Sequence, residues 1–431
     1  MINFVARSCL QIFLILLLGF AGGAVDRANA QNAQAVAGAN SGPSTDQLFD
    51  QAIDKVDEAD EFSAAGWPAR GRITPFPKLT EAYVEFNRRL WNKHGITYMF
   101  APTLMSQWGS QGGNQDYTAS EQYQGLFVWR ALNKTRVGTG YFVFNNLHVS
   151  QLDKTSGVDF AQSLGINYFT NDSVGRTEVY KAILWRHELP GDFLTVLLGH
   201  DELNAINGGC RYACDDTTSF FSTPLAANPA GTMPGQGISA SADIKLREGV
   251  IVEAGVADAR GEGRLHFNRV FNTGEVAYAG ALKVENPFKS VGDGVYKFSY
   301  YKVDATRQGT PKAAAETRGL SIQVDQDFGN VGVFAKYHKA MKRKGSVKQT
   351  GSAGLVLLKP FGNDEDRLGL GFGWVDPTAP NTNDEYVAEA YYRMQLTPLT
   401  QVTAGAMLVI DPSAPGKSNE FVFSLRVRKH L

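Results

Sequence analysis

The feature that most limits this chain is a period of two that begins at Ile96 and persists to the C-terminus. Ile238, Ala240, Ala242, Ile244 and Leu246 alternate with Ser239, Ser241, Asp243, Lys245 and Arg247. Gly319 to Asp325 alternates as strictly. Tyr386, Ala388, Ala390, Tyr392, Met394 and Leu396 share one side of their segment, with Glu389, Arg393 and Gln395 on the other. Near the end, Phe421, Phe423, Leu425 and Val427 oppose Ser424, Arg426 and Arg428. Successive side chains of a strand point to opposite faces, so each segment has a greasy face and a polar face. About sixteen segments can be marked, starting near residues 96, 122, 138, 178, 192, 237, 249, 263–275, 294, 317, 331, 347, 367, 385, 400 and 418, with a fainter one near 163.

So many half-apolar strands need an arrangement without an open edge, and closure into a cylinder supplies it. The expectation is an all-β fold: a transmembrane antiparallel β-barrel of about 16 strands with a short helical N-terminal segment. A soluble exported β-rich protein that binds carbohydrate is the competing reading, since soluble sheets also alternate. Aromatic pairs at segment ends, Tyr300-Tyr301, Tyr391-Tyr392 and Phe220-Phe221, favour the membrane through interface girdles. A chain that closes on the alternating strand FVFSLRVRKHL points the same way.

The rest of the chain falls into two N-terminal pieces. Arg7, the apolar run Cys9 to Ala21, and Ala28-Asn29-Ala30 read together as an export signal over residues 1–30. No other apolar run is long enough for a membrane helix, so a helical bundle is excluded. Residues 31–94 read as a flexible mature N-terminus followed by periplasmic or plug helices. One helix candidate spans Asp46 to Phe62. A second places Leu79, Ala82, Tyr83, Phe86 and Leu90 on one stripe and ends at Gly95. The barrel would occupy 95–431.

Lys and Arg total 42 against 43 Asp and Glu, a net charge of −1. A nucleic-acid binder needs a basic excess to displace counterions, so nucleic acid is not an expected partner. Cleavage after residue 30 leaves two of the three cysteines, Cys210 and Cys214, which suggests a local disulfide in an exported protein. No metal site is expected there, because no histidine pair lies nearby. The seven histidines are scattered and none forms a compact nucleophile motif with a serine, so no enzyme and no cofactor are expected. Gly369-Leu-Gly-Phe-Gly373 is not a phosphate loop; glycines spaced by two give a narrow strand face.

Three stretches, in order, resemble one family. The first is the helix leading through Arg88-Arg89-Leu90 to Gly95-Ile96. The second runs from Asp192 to Asn204, then through Ser219-Phe-Phe-Ser-Thr-Pro224, Asn228-Pro229, Pro234, Gly235 and Gly237 into the strand at 238. The third is Glu389 to Leu431, with Leu396-Thr-Pro-Leu399 and Ile410-Asp-Pro412. Together they are similar to carbohydrate-selective porins of the OprB type, across roughly residues 79–431. Two residues depart from that pattern: His200 where Lys or Arg is usual, and a final Leu431 where Phe or Trp is usual.

The resemblance implies a bacterial outer-membrane porin that admits mono- and oligosaccharides by facilitated diffusion. Saccharide solutes, outer-membrane lipid and the barrel-assembly machinery would be its partners, with a homo-oligomer left open. Alternation nominates pore-lining groups: Arg130, Asp243, Lys245, Arg247, Lys297, Lys336, Glu389, Arg393, Arg426 and Arg428. Such groups can exchange hydrogen bonds with sugar hydroxyls, and a passage works best with several weak contacts.

Overall fold

The alternating segments become sixteen strands, each antiparallel to its neighbours in sequence. They are β1 (Ile96–Gly109), β2 (Tyr117–Thr135), β3 (Gly138–Gln151), β4 (Arg176–Glu188), β5 (Leu194–Asp201), β6 (Gly237–Arg247), β7 (Val250–Asp258) and β8 (Val276–Glu285). The second half holds β9 (Gly294–Val303), β10 (Thr317–Phe328), β11 (Val331–Lys342), β12 (Val347–Leu358), β13 (Arg367–Pro377), β14 (Glu385–Thr397), β15 (Thr400–Ile410) and β16 (Glu420–Lys429). A computed structural model describes residue 49 and residues 71–110, 115–166, 176–204, 206, 210–231, 233–261, 274–306, 316–342 and 346–431. All of them lie in one compact unit, Ala37–Leu431.

Closure comes from β1 pairing with β16, in a register running from Thr103 opposite Arg428 to Gly109 opposite Val422. The last residue extends it: Leu431 N–H donates to Phe100 O at 2.8 Å, and Phe100 N–H returns a bond to Leu431 O at 2.7 Å. Every strand therefore has two partners, and no edge is left to pair with another chain.

The two ends of the barrel differ. At one end the connections are short, as at 136–137, 248–249, 329–330 and 398–399. At the other most are longer, and the longest is 202–236. The helix α1 (Pro77–His94) enters β1 at the short-turn end. Gly95 ends it with φ 66°, its N–H donating to Trp91 O. A Cβ there would lie 2.8 Å from the Arg130 carbonyl, so glycine is required twice over. Upstream, Arg72 and Ile73 donate backbone N–H groups to Gln395 and Leu396 O, at 3.1 and 3.0 Å, tying the chain to the end of β14.

The face that α1 buries is not the stripe its spacing suggests. Leu79 and Phe86 are exposed, while Trp91 and Thr80 are buried. The last turn alone reaches deep: Trp91 packs with Phe49, Met99, Leu126 and Val128 inside the barrel wall. The Arg130 guanidinium stacks on the Trp91 ring at 4.2 Å. The Asp46–Phe62 helix candidate, apart from Phe49, and the export signal over 1–30 lie outside the described residues.

Two further expectations are corrected. The segment near 163 is not a strand; it lies in the helix α2 (Gly157–Leu164), capped by Ser156, whose hydroxyl accepts from Asp159 N–H. The aromatic pairs do not form girdles as pairs. Alternation sends one member inward, so Tyr301 and Tyr391 are buried while Tyr300 is exposed. Phe220 and Phe221 are in the connection 202–236 and lie in the core. Outward aromatic positions include Phe100, Trp108, Trp129, Tyr278, Phe298, Tyr300, Phe372, Phe421 and Phe423.

Candidate solute passage

The connection 202–236 does not stay at the rim. It folds into the barrel and packs Cys210, Ala213, Phe220, Phe221, Leu225 and Ala226 against Phe334, Val356, Val387, Tyr391 and Met407 of the wall. A four-residue helix, α3 (Thr223–Ala226), lies within it. Room for it comes from inward-facing glycines. A Cβ on Gly371 would meet Leu225 at 2.7 Å and Phe220 at 2.9 Å. One on Gly373 would meet Pro224 at 2.8 Å, one on Gly405 would meet Phe221 at 2.5 Å, and one on Gly332 would run into Tyr212. On β13 the bulky residues Leu370 and Phe372 face outward between those glycines. The narrow strand face read at 369–373 is thus the seat of the loop.

The polar groups of the wall bind the loop's backbone. Lys336 Nζ donates to Ala213 O and Leu225 O, both at 2.6 Å, and to Ala227 O at 3.3 Å. Glu389 accepts from the backbone N–H of Phe221 at 2.5 Å and of Ser222 at 2.9 Å. The Arg426 guanidinium donates to Asp216 O and, at 2.8 Å, to Ser219 O, and lies 4.3 Å over the Phe221 ring. Arg428 donates to the Thr217 hydroxyl, and Arg393 to Thr218 O at 3.1 Å. Cationic groups on carbonyls and a carboxylate on amides satisfy a backbone that has left water without forming a sheet.

Within the loop, Cys210 and Cys214 are joined by a disulfide, with Cα atoms 5.5 Å apart. Asp215 caps its own turn, accepting from Thr217 N–H at 2.7 Å and the Thr217 hydroxyl at 2.6 Å. Arg211 pairs with Asp327 at 3.1 Å, and the Tyr212 hydroxyl donates to the same carboxylate. Burial, with that bond second, raises the Tyr212 pKa. Asp216 is buried, and its pKa is raised to about 6, first by burial and then by the charge of Asp215. Lys181 of β4, also buried, faces Glu202 at 3.9 Å where the loop begins.

The ten nominated groups therefore divide. Lys336, Glu389, Arg393, Arg426 and Arg428 converge on the loop. Arg130 faces inward but stacks on Trp91 and fixes the helix. Lys297 pairs with Glu253 at 2.6 Å, both buried. Asp243 stands opposite Glu253 in the β6–β7 register. Lys245 and Arg247, beside a register shift at the end of β6, are exposed. Four of the set, Lys336, Glu389, Arg426 and Arg428, are buried beneath the loop, so they shape the opening without presenting much surface to it.

Alternation missed Lys181, Asp216 and Asp366. Asp366, buried in the 359–366 turn, accepts from Arg72 at 2.6 Å and from the Tyr392 hydroxyl, and binds Gln395 N–H at 2.9 Å. That hub raises the pKa of Arg72. Asp216 and Asp366 lie in a loop and a turn, which carry no period; Lys181 is on β4 where its register with β3 shifts between Asn145 and Asn146, so the alternation slips there.

Residues 225–431 match the family model described as carbohydrate-selective porin, OprB family. The Porin AaxA of Chlamydia pneumoniae is 26% identical over 317 residues, covering 70% of each chain. The chain is a porin. The AaxA porin of Chlamydia felis (strain Fe/C-56) is 24% identical over 309 residues, 69% of this porin and 68% of its own length. Among solved structures, the high-pH form of Pseudomonas putida OprB superposes with a TM-score of 0.67 at 13% identity, over 82% of this porin and 98% of that chain. That likeness is one of fold: the sixteen-stranded closed barrel. Family and fold together imply the bacterial outer membrane.

Proposed function

We propose that this porin passes mono- and oligosaccharides by facilitated diffusion, through a lumen narrowed by the 202–236 loop. The observation that carries the reading is the seating of that loop: a polar, mixed-charge wall grips it across one side of the barrel. A solute then meets the loop's free edge on one side and inward polar side chains on the other. Arg393, Asp243, Lys245 and Arg247 are the nominated groups with side-chain surface left for it. Guanidinium and ammonium donors and a carboxylate acceptor exchange hydrogen bonds with hydroxyls, and no single contact is strong enough to trap the sugar. Saccharides are the diffusing partners, outer-membrane lipid surrounds the apolar belt, and the barrel-assembly machinery inserts it. Residues 1–30 serve export, and the helix α1 (Pro77–His94) lies at the periplasmic mouth.

Liposome swelling with a graded panel of mono- and oligosaccharides tests the reading. Swelling should fall with sugar size and exceed that of an amino-acid panel of matched mass. Equal rates for both panels would remove the sugar preference and leave a general pore.

A further inference from the structure

The apolar stripe of α1 is left largely uncovered by the barrel. The helix divides into rows that repeat as i, i+4, i+7 and i+11, the spacing that keeps one line along its surface. Thr80, Val84, Asn87 and Trp91 form the row turned to the barrel, with Thr80 and Trp91 buried. One residue back, and so about 100° round the helix, lie Leu79, Tyr83, Phe86 and Leu90. In that row Leu79 is 69% and Phe86 54% exposed. One residue forward, about 100° the other way, lie Glu81, Glu85, Arg88 and Asn92. The contact row is thus flanked by apolar side chains on one side and polar ones on the other.

Two contacts show which way these flanks point. Tyr98 of β1 faces out, since Thr97 and Met99 on either side of it are buried inward. The Tyr83 and Tyr98 hydroxyls are hydrogen-bonded. Upstream of the helix, Arg72 donates to the Tyr392 hydroxyl at 2.8 Å. Tyr392 also faces out, beside the buried Tyr391, and its ring meets that of the exposed Phe361 edge-on, with centroids 5.6 Å apart. Only β15 and β16 stand between β14 and β1. The helix, about 27 Å long, therefore follows the outer side of the short-turn rim past those two strands. Tyr83 belongs to the apolar row, so that row turns towards the outward belt, where Phe100 and Trp129 are exposed. The row from Glu81 to Asn92 turns away from it.

A line of exposed leucine and phenylalanine marks a surface that something covers. Continuity identifies the cover. The outward belt is bathed in hydrocarbon on the membrane reading, and the apolar row of α1 extends it at the periplasmic edge. Ile73, Phe76 and Phe361, all exposed, widen the same patch. We propose that α1 is an interfacial helix, its Leu79–Leu90 row set among the acyl chains of inner-leaflet phospholipid and its polar row facing the periplasm. Helices with one apolar and one charged flank lie in the membrane plane in this way. Lys78, Arg88, Arg89 and Lys93 outnumber Glu81 and Glu85, which suits anionic headgroups. The helix is then a brace along the membrane edge and not a plug of the lumen.

The inference rests on the membrane reading, and its test separates the two. The full chain is reconstituted in liposomes of phosphatidylethanolamine and phosphatidylglycerol, with a fluorophore on one introduced cysteine. L79C and F86C probe the apolar row, E81C the polar row, and F372C the outward belt on β13. Cys210 and Cys214 are joined to each other and take no label. Heat-modifiable mobility shows that each variant is folded. Phospholipids brominated along the acyl chains, present in both leaflets, quench a fluorophore that touches hydrocarbon. Quenching at L79C and F86C should approach that at F372C and exceed that at E81C several-fold. Quenching at L79C and F86C no greater than at E81C, with F372C quenched, overturns the proposal; a cover formed by the chain's own residues 31–70 would give that result. An unquenched F372C in a folded barrel overturns the membrane reading as well.

Discussion

Replacing Glu389 with alanine should loosen the loop without unfolding the barrel. The carboxylate is buried on β14 and accepts from two loop amides, Phe221 N–H at 2.5 Å and Ser222 N–H at 2.9 Å. Alanine leaves both donors without a partner. Each unmet buried N–H costs about 1–3 kcal/mol, so the pair costs about 2–6 kcal/mol. Removing a buried charge returns part of that, which leaves a net loss of about 2–4 kcal/mol. At 1.4 kcal/mol per tenfold, the ratio of seated to lifted loop falls by about 30- to 700-fold. Lys336, Arg393 and Arg426 still hold the flanking carbonyls. The change is therefore a lifted knuckle at Phe221-Ser222, while the sixteen strand pairings stay intact. Planar-bilayer recording should show a larger mean conductance with added substates, and gel mobility should still change on heating. Glu389→Gln keeps one acceptor oxygen and should fall between the two. Wild-type conductance and noise from a folded Glu389→Ala channel would refute the anchoring role, the loop's role in setting the opening, or both.

Gly371→Leu thrusts a side chain into Leu225 and Phe220, and overpacking of this kind costs about 1–3 kcal/mol. It should mimic Glu389→Ala in bilayers, whereas Leu370→Ala on the outward face of the same strand should not. Asp216 belongs to the loop, and its pKa is raised from 3.8 to about 6 when seated, so the seated loop binds more protons between those values. Seating should weaken as pH rises from about 4 to 6 and level off above, read as channel noise against pH; in Asp216→Asn the slope should vanish. Trp91→Ala empties a buried site on α1 and should cost about 3–5 kcal/mol, seen as faster proteolysis near residues 71–94 with conductance retained. The Cys210–Cys214 disulfide spans a separation of only four residues, so its removal should leave the heating temperature that unfolds the barrel unchanged.

The barrel was legible because its determinants are local and repeated. Each strand states its own facing through alternation, as in Tyr386 to Leu396, and closure follows from having many such strands with no other way to cover an edge. The loop was not legible in that way. Ser219 to Pro224 stands out as a landmark, yet nothing near it says that it turns inward; its partners Lys336, Glu389, Arg393 and Arg426 are more than a hundred residues away. The same charged side chains that mark a wet lumen serve equally well to hold a backbone brought into it, and period alone cannot separate those uses. One signal does separate them. A wet wall tolerates side chains of any size, whereas a seat for a packed loop does not, and Gly369, Gly371 and Gly373 fall in succession on the inward parity of β13. Glycine weakens a strand and packs nothing itself, so three in phase on one face have to be offset by something that fills the space they leave. Here Phe220, Pro224 and Leu225 fill it at Gly371 and Gly373. The size of residues on the inward parity, and not their charge, is what marks the side of this barrel where the solute does not pass.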